Sequence, residues 1–214
     1  MANVTSIQTL VDGPRNVVVK YEGVLDTSDI AASGTIGTAG FTTTTGSPNI
    51  TFTAGSLVPT VGQYLTFSDG TSTFPANTYV VSITSATAIV VSNNATATNA
   101  AAAKTISGVS GAVVVIDPAK LSQLDSATNT NASAIAIKRI FYDVEDALAL
   151  NLFWEATSNT RVWELAGRGF IKADKFGFLV NNAGTGKTGR LVATTQGWST
   201  GTLSFSIILE CVKQ

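Results

Sequence analysis

Residues 34–107 hold almost no charge, and this limits the possible folds more than any motif does. Between Lys20 and Lys104 there is no basic residue, and between Asp29 and Asp117 the one acidic residue is Asp69. Thr, Ser, Ala, Gly and Asn fill the stretch, with Val, Ile and Phe set at intervals. Strand patterns occur at Asn49-Ile50-Thr51-Phe52-Thr53, Val61-Gly62-Gln63-Tyr64-Leu65-Thr66-Phe67, Thr78-Tyr79-Val80-Val81-Ser82-Ile83 and Ala88-Ile89-Val90-Val91-Ser92. Short strands at roughly ten-residue spacing predict a small barrel or sandwich. β-branched Thr fits a pleated surface, so hydroxyls take the outward places that charges usually hold. Residues 93–103, ending in consecutive alanines, read as a return linker with room for a short helix, alanine being the best helix former.

Charge returns on both flanks and the three tryptophans all follow the stretch, so residues 33–107 read as a module inserted into a host domain formed by residues 1–32 and 108–214. The host opens with two strands meeting at Asp12-Gly13-Pro14-Arg15, and the second sets Val17, Val19 and Tyr21 on one face. Gly111-Ala112-Val113-Val114-Val115-Ile116 suits a buried strand. Asp117 as cap and Pro118 at the first position then predict a short helix carrying Leu121 and Leu124. Further strands are expected at residues 135–144, with a bend near Lys138-Arg139, and at 147–155, 160–165, 190–195 and 202–210. Trp154 and Trp163 are placed in the core, and Trp198 in a Gly/Ser/Thr loop. The fold class is all-β: a β-sandwich host of jelly-roll type with one short helix, plus the inserted β-barrel or sandwich module.

Composition narrows the chemistry. Charged residues make up 13% of the chain, against a usual ~25%. The net charge is −1 and there is no histidine. Nucleic-acid binders cluster Lys and Arg against phosphates, so nucleic acid is not an expected partner. Histidine triads and histidine metal ligation are impossible. Cys211, the single cysteine, lies in an apolar run and is expected to be a buried, inert thiol. No apolar stretch is long enough to span a membrane, and residues 1–4 lack a signal-peptide pattern, so the chain is expected to be made and kept in a cytosol.

Three clusters invite a chemical reading. Asn181-Asn182-Ala183-Gly184-Thr185-Gly186-Lys187-Thr188-Gly189 looks like a phosphate loop, yet Asn181 stands where the pattern needs glycine and a strand follows instead of a helix. Asp143, Glu145 and Asp146 form an acidic turn without the spacing of a calcium loop. Glu155 and Glu164 sit beside tryptophans in hydrophobic strands and read as structural charges rather than an acid–base pair. No catalytic, cofactor or metal residue is assigned.

One resemblance emerges from the placed strands. It is carried by Thr9-Leu10-Val11-Asp12-Gly13-Pro14-Arg15-Asn16-Val17-Val18-Val19, by Ile140-Phe141-Tyr142-Asp143-Val144 and by Leu152-Phe153-Trp154. Val162-Trp163-Glu164-Leu165-Ala166-Gly167-Arg168-Gly169, Gly186-Lys187-Thr188-Gly189 and Thr194-Thr195-Gln196-Gly197-Trp198 belong to it as well. Together these resemble small virion structural proteins of tailed bacteriophages, notably those infecting cyanobacteria. Those proteins usually lack the insertion, which is itself similar to Thr/Ser-rich modules of phage fibres and decoration proteins. The resemblance implies a non-enzymatic particle component, made in the host cytoplasm and resident in the virion. The leading expectation is a capsid decoration (cement) protein, a homo-oligomer such as a trimer, bound to the major capsid protein. Its interface is expected at Trp198, Ser199 and Thr200 with Arg15, Asn16 and Arg168. A neck, tail or fibre-attachment piece is one alternative, and a carbohydrate-binding adhesion module is another.

Overall fold

A computed structural model describes residues 3–27, 29–70, 72–99, 104–125, 127–128, 130–198 and 200–214. Its strands in chain order are β1 (Val4–Asp12), β2 (Asn16–Leu25), β3 (Gly34–Thr42), β4 (Asn49–Ala54), β5 (Gln63–Phe67), β6 (Val80–Ser85), β7 (Ala88–Val91) and β8 (Ile106–Ile116). There follow β9 (Ile135–Val144), β10 (Ala149–Trp154), β11 (Thr160–Leu165), β12 (Gly167–Lys172), β13 (Leu179–Val180), β14 (Leu191–Gln196) and β15 (Leu203–Lys213). The chain is all-β and antiparallel, as a sandwich requires. It divides into two compact units, one of residues 1–3 and 29–113 and the other of residues 4–28 and 114–214. Residues 29–32 and 108–113 thus belong with the insertion, and β8 passes from one unit to the other at Val113.

The insertion unit is a small barrel. Its strands run β5-β8-β3-β4-β7-β6. The Tyr64–Tyr79 bridge, with Gly62 N donating to Val80 O at 2.8 Å and Leu65 N to Thr78 O at 2.9 Å, brings β6 back to β5. Closure explains how a module nearly without charge avoids edge-to-edge pairing, because a closed ring has no edge for charges to guard. Alternating residues fill it: Ile36, Phe41, Ile50, Phe52, Leu65, Phe67, Phe74, Ile89 and Ile106 are buried. Phe67 stacks on Phe74 with centroids 4.8 Å apart. The few charges of the stretch find each other, since Lys104 Nζ lies 2.9 Å from Asp69 Oδ2, which also accepts from Thr73 Oγ1 at 2.5 Å. Burial raises the Asp69 pKa, but Thr73 and Lys104 outweigh it and hold the carboxyl below its usual range. Residues 100–103, the alanine run, lie outside the described residues.

The host unit is a β-sandwich. One sheet has the order β1-β2-β15-β9-β12, with β13 also on β9; the other runs β11-β10-β14-β8, which β8 enters from Val114. Val17, Val19, Tyr21 and Leu25 of β2 are buried, as are Phe205, Ile207, Leu209 and Cys211 of β15. From the second sheet come Leu150, Leu152, Trp154 and Leu191. Gly23 is needed where it stands: a Cβ there would lie 2.7 Å from the Phe205 ring. That ring meets Tyr21 edge-on with centroids 4.9 Å apart. Cys211 is buried, as expected, and burial pushes its thiol pKa up, with a smaller contribution from Glu210.

Two expectations need correction. The helix after Asp117 shrinks to one 3-10 turn, Pro118–Lys120. Asp117 does cap it, accepting from Ala119 N at 3.1 Å, but Leu121 is already extended. Trp163 is 39% exposed rather than core, because β11 is an edge strand bonded, among the described residues, only to β10. The bend near Lys138-Arg139 is a β-bulge: Glu210 faces Arg139 and Cys211 faces Ile137, leaving Lys138 as the extra residue.

Candidate functional site

The outward face of the β1-β2-β15-β9-β12 sheet is built by register. Residues directly opposite in neighbouring strands point to the same side, so each row crosses the sheet. One row reads Ser6, Glu22, Ser206, Asp143, Arg168; the next Gln8, Lys20, Ile208, Phe141, Phe170; a third Val11, Val18, Glu210, Arg139, Lys172. The bulge at Lys138 decides what this face presents. Ile135 and Ile137 point inward, and unbroken alternation would carry Phe141 inward with them. The extra residue reverses the phase, buries Ile140 and turns Phe141 out.

The middle row is therefore the apolar part. Phe141 and Phe170 stack with centroids 4.2 Å apart and planes 16° off parallel, yet they are 38% and 43% exposed. Lys172 Nζ stands 5.3 Å from the Phe170 centroid. Paired charges flank the rings: Arg168 with Asp143 at 2.8 Å, Lys20 with Glu22 at 2.6 Å, and Arg139 with Asp174 at 2.9 Å and Glu210 at 3.3 Å. Arg139 chiefly, against the opposing effect of burial, holds the Asp174 carboxyl below the usual range. The aromatic pair is thus exposed, and the charges around it are largely paired with one another. An open groove of about 470 Å³, lined by Val4, Ser6, Glu22, Val24, Arg168 and Ser204, lies at the first-row end of this face.

The expected interface residues do not form one patch. Asn16 pairs with Val212 and Leu25 with Leu203, so Arg15 and Asn16 sit at one end of β15. Arg168, opposite Asp143 and in the same row as Ser206, sits towards the other end. From Val212 to Ser206 these positions are about 20 Å apart along β15 at ~3.3 Å per residue. Trp198 lies in the loop that leads into β15; it is half-buried, and its Nε1 is enclosed without a hydrogen-bond partner among the described residues. Thr200 is exposed, and Ser199 lies outside the described residues.

The side chains of the three clusters pair as follows. Thr188 Oγ1 of the glycine-rich loop donates to Glu155 Oε2 at 2.6 Å, and the loop runs into β14 without a helix. Glu155 also faces Arg190 Nη1 at 3.6 Å, and Glu164 pairs with Arg161 at 2.9 Å. Glu145 Oε2 accepts from Ser204 N at 2.5 Å. Among the described residues no group of three Asp, Glu or Cys is arranged to hold a metal ion, and no helix is long and apolar enough to cross a membrane.

Sequence reasoning missed one polar cluster. The Lys213 side chain is fully buried, and its ammonium donates to Asp12 Oδ1, to Ser122 O at 2.8 Å and to Ser122 Oγ at 2.7 Å. Asp12 in turn accepts from Ser122 N at 2.7 Å and Oγ at 2.9 Å. This ties the end of β1 to the end of β15. Comparison of the chain with protein-family models, with curated proteins and with solved structures returns no match.

Proposed function

We propose that the protein is a non-enzymatic structural component of a tailed-phage particle, a decoration protein that docks on the capsid shell through the outward face of its host sheet. The observation that carries the docking surface is the exposed Phe141–Phe170 stack within its rim of paired charges. The resemblance of residues 9–19, 140–144 and 162–169 to small virion proteins supplies the particle. A low-charge chain, weakly self-repelling, suits a molecule packed at high local concentration against partners. Binding of this kind stabilises a shell by mass action, since each bound copy favours the assembled state.

The test is location. Antibody labelling of purified particles should decorate the whole shell. A ring of label at one vertex would replace this reading with a neck or tail component. Label on fibres, with glycan binding by the protein, would replace it with adhesion.

A further inference from the structure

We infer that β1 is a dimerisation edge: Val4–Asp12 of one protomer pairs antiparallel with the same strand of a second copy about a two-fold axis. The inference goes beyond the virion reading and does not rest on it.

The two units treat their sheet edges differently. The barrel closes its ring through the Tyr64–Tyr79 bridge. The larger host sheet stays open, with β1 and β12 as its outermost strands. β12 is a poor template for another strand. It is six residues long with Gly167 and Gly169 in it, exposes Arg168 and Lys172, and runs straight into the 3-10 turn Ala173–Lys175. β1 has none of these protections. Its nine residues, Val-Thr-Ser-Ile-Gln-Thr-Leu-Val-Asp, include no Lys, Arg, Pro or Gly. Residues 8–12 are all exposed, and Val4, Leu10 and Val11 are 68%, 51% and 48% exposed. Apart from its one bulge at Leu10, this nine-residue edge lacks the Lys, Arg, Pro and Gly that blunt a free strand, and such an edge pairs with another strand.

The strand's own chemistry selects a second copy as the occupant. In a two-fold antiparallel pairing every residue of β1 meets a residue of β1, so the strand must tolerate itself. Its single ionisable side chain is Asp12, already held by Lys213 and Ser122, so no like charges are brought face to face. Thr and Ser meet Thr, Gln or Ile, and the exposed Val4 of each copy gains cover. A charged foreign strand would find no countercharge along it. The register shift between Thr9 and Val11 sets the limit of regular pairing, which covers residues 4–9.

The experiment is sedimentation velocity on the full chain across a concentration series, with the Ser6→Lys/Gln8→Lys double variant beside it. Both positions lie on the outward face, so the fold should persist; an unchanged tryptophan melt checks this. A monomer–dimer equilibrium is expected, weakened by more than about tenfold in the variant at low salt and partly restored at high salt. Hydrogen exchange on the unaltered protein gives a second readout, with protection of residues 4–9 rising with concentration. A monomer at every concentration would overturn the proposal. So would an oligomer that the two lysines leave unchanged, or concentration-independent exchange in β1.

Discussion

Replacing Lys213 with methionine tests the host unit's polar lock. Methionine keeps much of the apolar stem and removes the ammonium, so the change isolates the charge and its three bonds. Breaking a fully buried ion pair costs about 3–5 kcal/mol, because the orphaned partner stays out of water. Here the orphan is Asp12, whose side chain is 29% exposed and which keeps its bonds from Ser122. Water can reach it, so the expected loss is smaller, about 2 kcal/mol, a fall of roughly 4–8 °C in Tm. Trp154, Trp163 and Trp198 all lie in the host unit, so tryptophan fluorescence during a thermal or urea melt follows that unit without signal from the barrel. The pH dependence gives a second handle. Burial raises the Asp12 pKa, but Lys213 and Ser122 outweigh it, leaving the carboxyl depressed in the folded state. A depressed carboxylate adds stability above its unfolded pKa of ~3.9 and loses it as pH falls through the folded value. The gap between wild type and Lys213→Met should therefore be full at neutral pH and close below about pH 4. A variant as stable as wild type at pH 7, or a gap that widens in acid, would refute this account of the lock.

Two substitutions probe the two faces of the same sheet. Tyr21 is fully buried with its hydroxyl unpartnered among the described residues, so Tyr21→Phe should leave stability unchanged or raise it by up to about 1 kcal/mol in a urea melt. A loss above that size would reveal a hydrogen bond to the hydroxyl. Phe170→Ser removes an exposed ring and should shift the same melt by less than about 1 kcal/mol. A larger loss would mean the aromatic pair serves the fold rather than a partner.

How much of this was legible from residues follows from how local each cause is. The β1–β2 hairpin and the inward set Leu148, Leu150, Leu152 and Trp154 come from alternation and a Gly-Pro turn, signals held within a few residues. β3 escapes because Gly34, Gly37 and Gly40 break its pattern; Gly37 is there because a Cβ would press on Phe52 at 3.0 Å. β12 hides behind Gly169, where a Cβ would collide with the Tyr142 side chain of the neighbouring strand. The outward turn of Phe141 depends on a bulge, and a bulge depends on the partner strand, which β9 alone does not name. Lys213 and Asp12 stand at opposite ends of the chain, so no spacing rule joins them. Trp163 went astray for the same reason: burial follows from having neighbours on both sides, and strand order is a property of the whole sheet.

The most direct test of the docking surface is binding of the purified protein to shells that lack it, followed by co-sedimentation. Saturable binding at a fixed number of copies per shell is predicted, weakened more than about tenfold by Phe141→Ser/Phe170→Ser, as for loss of an interface anchor. Absence of binding to intact shells, or equal binding by the double variant, would contradict it.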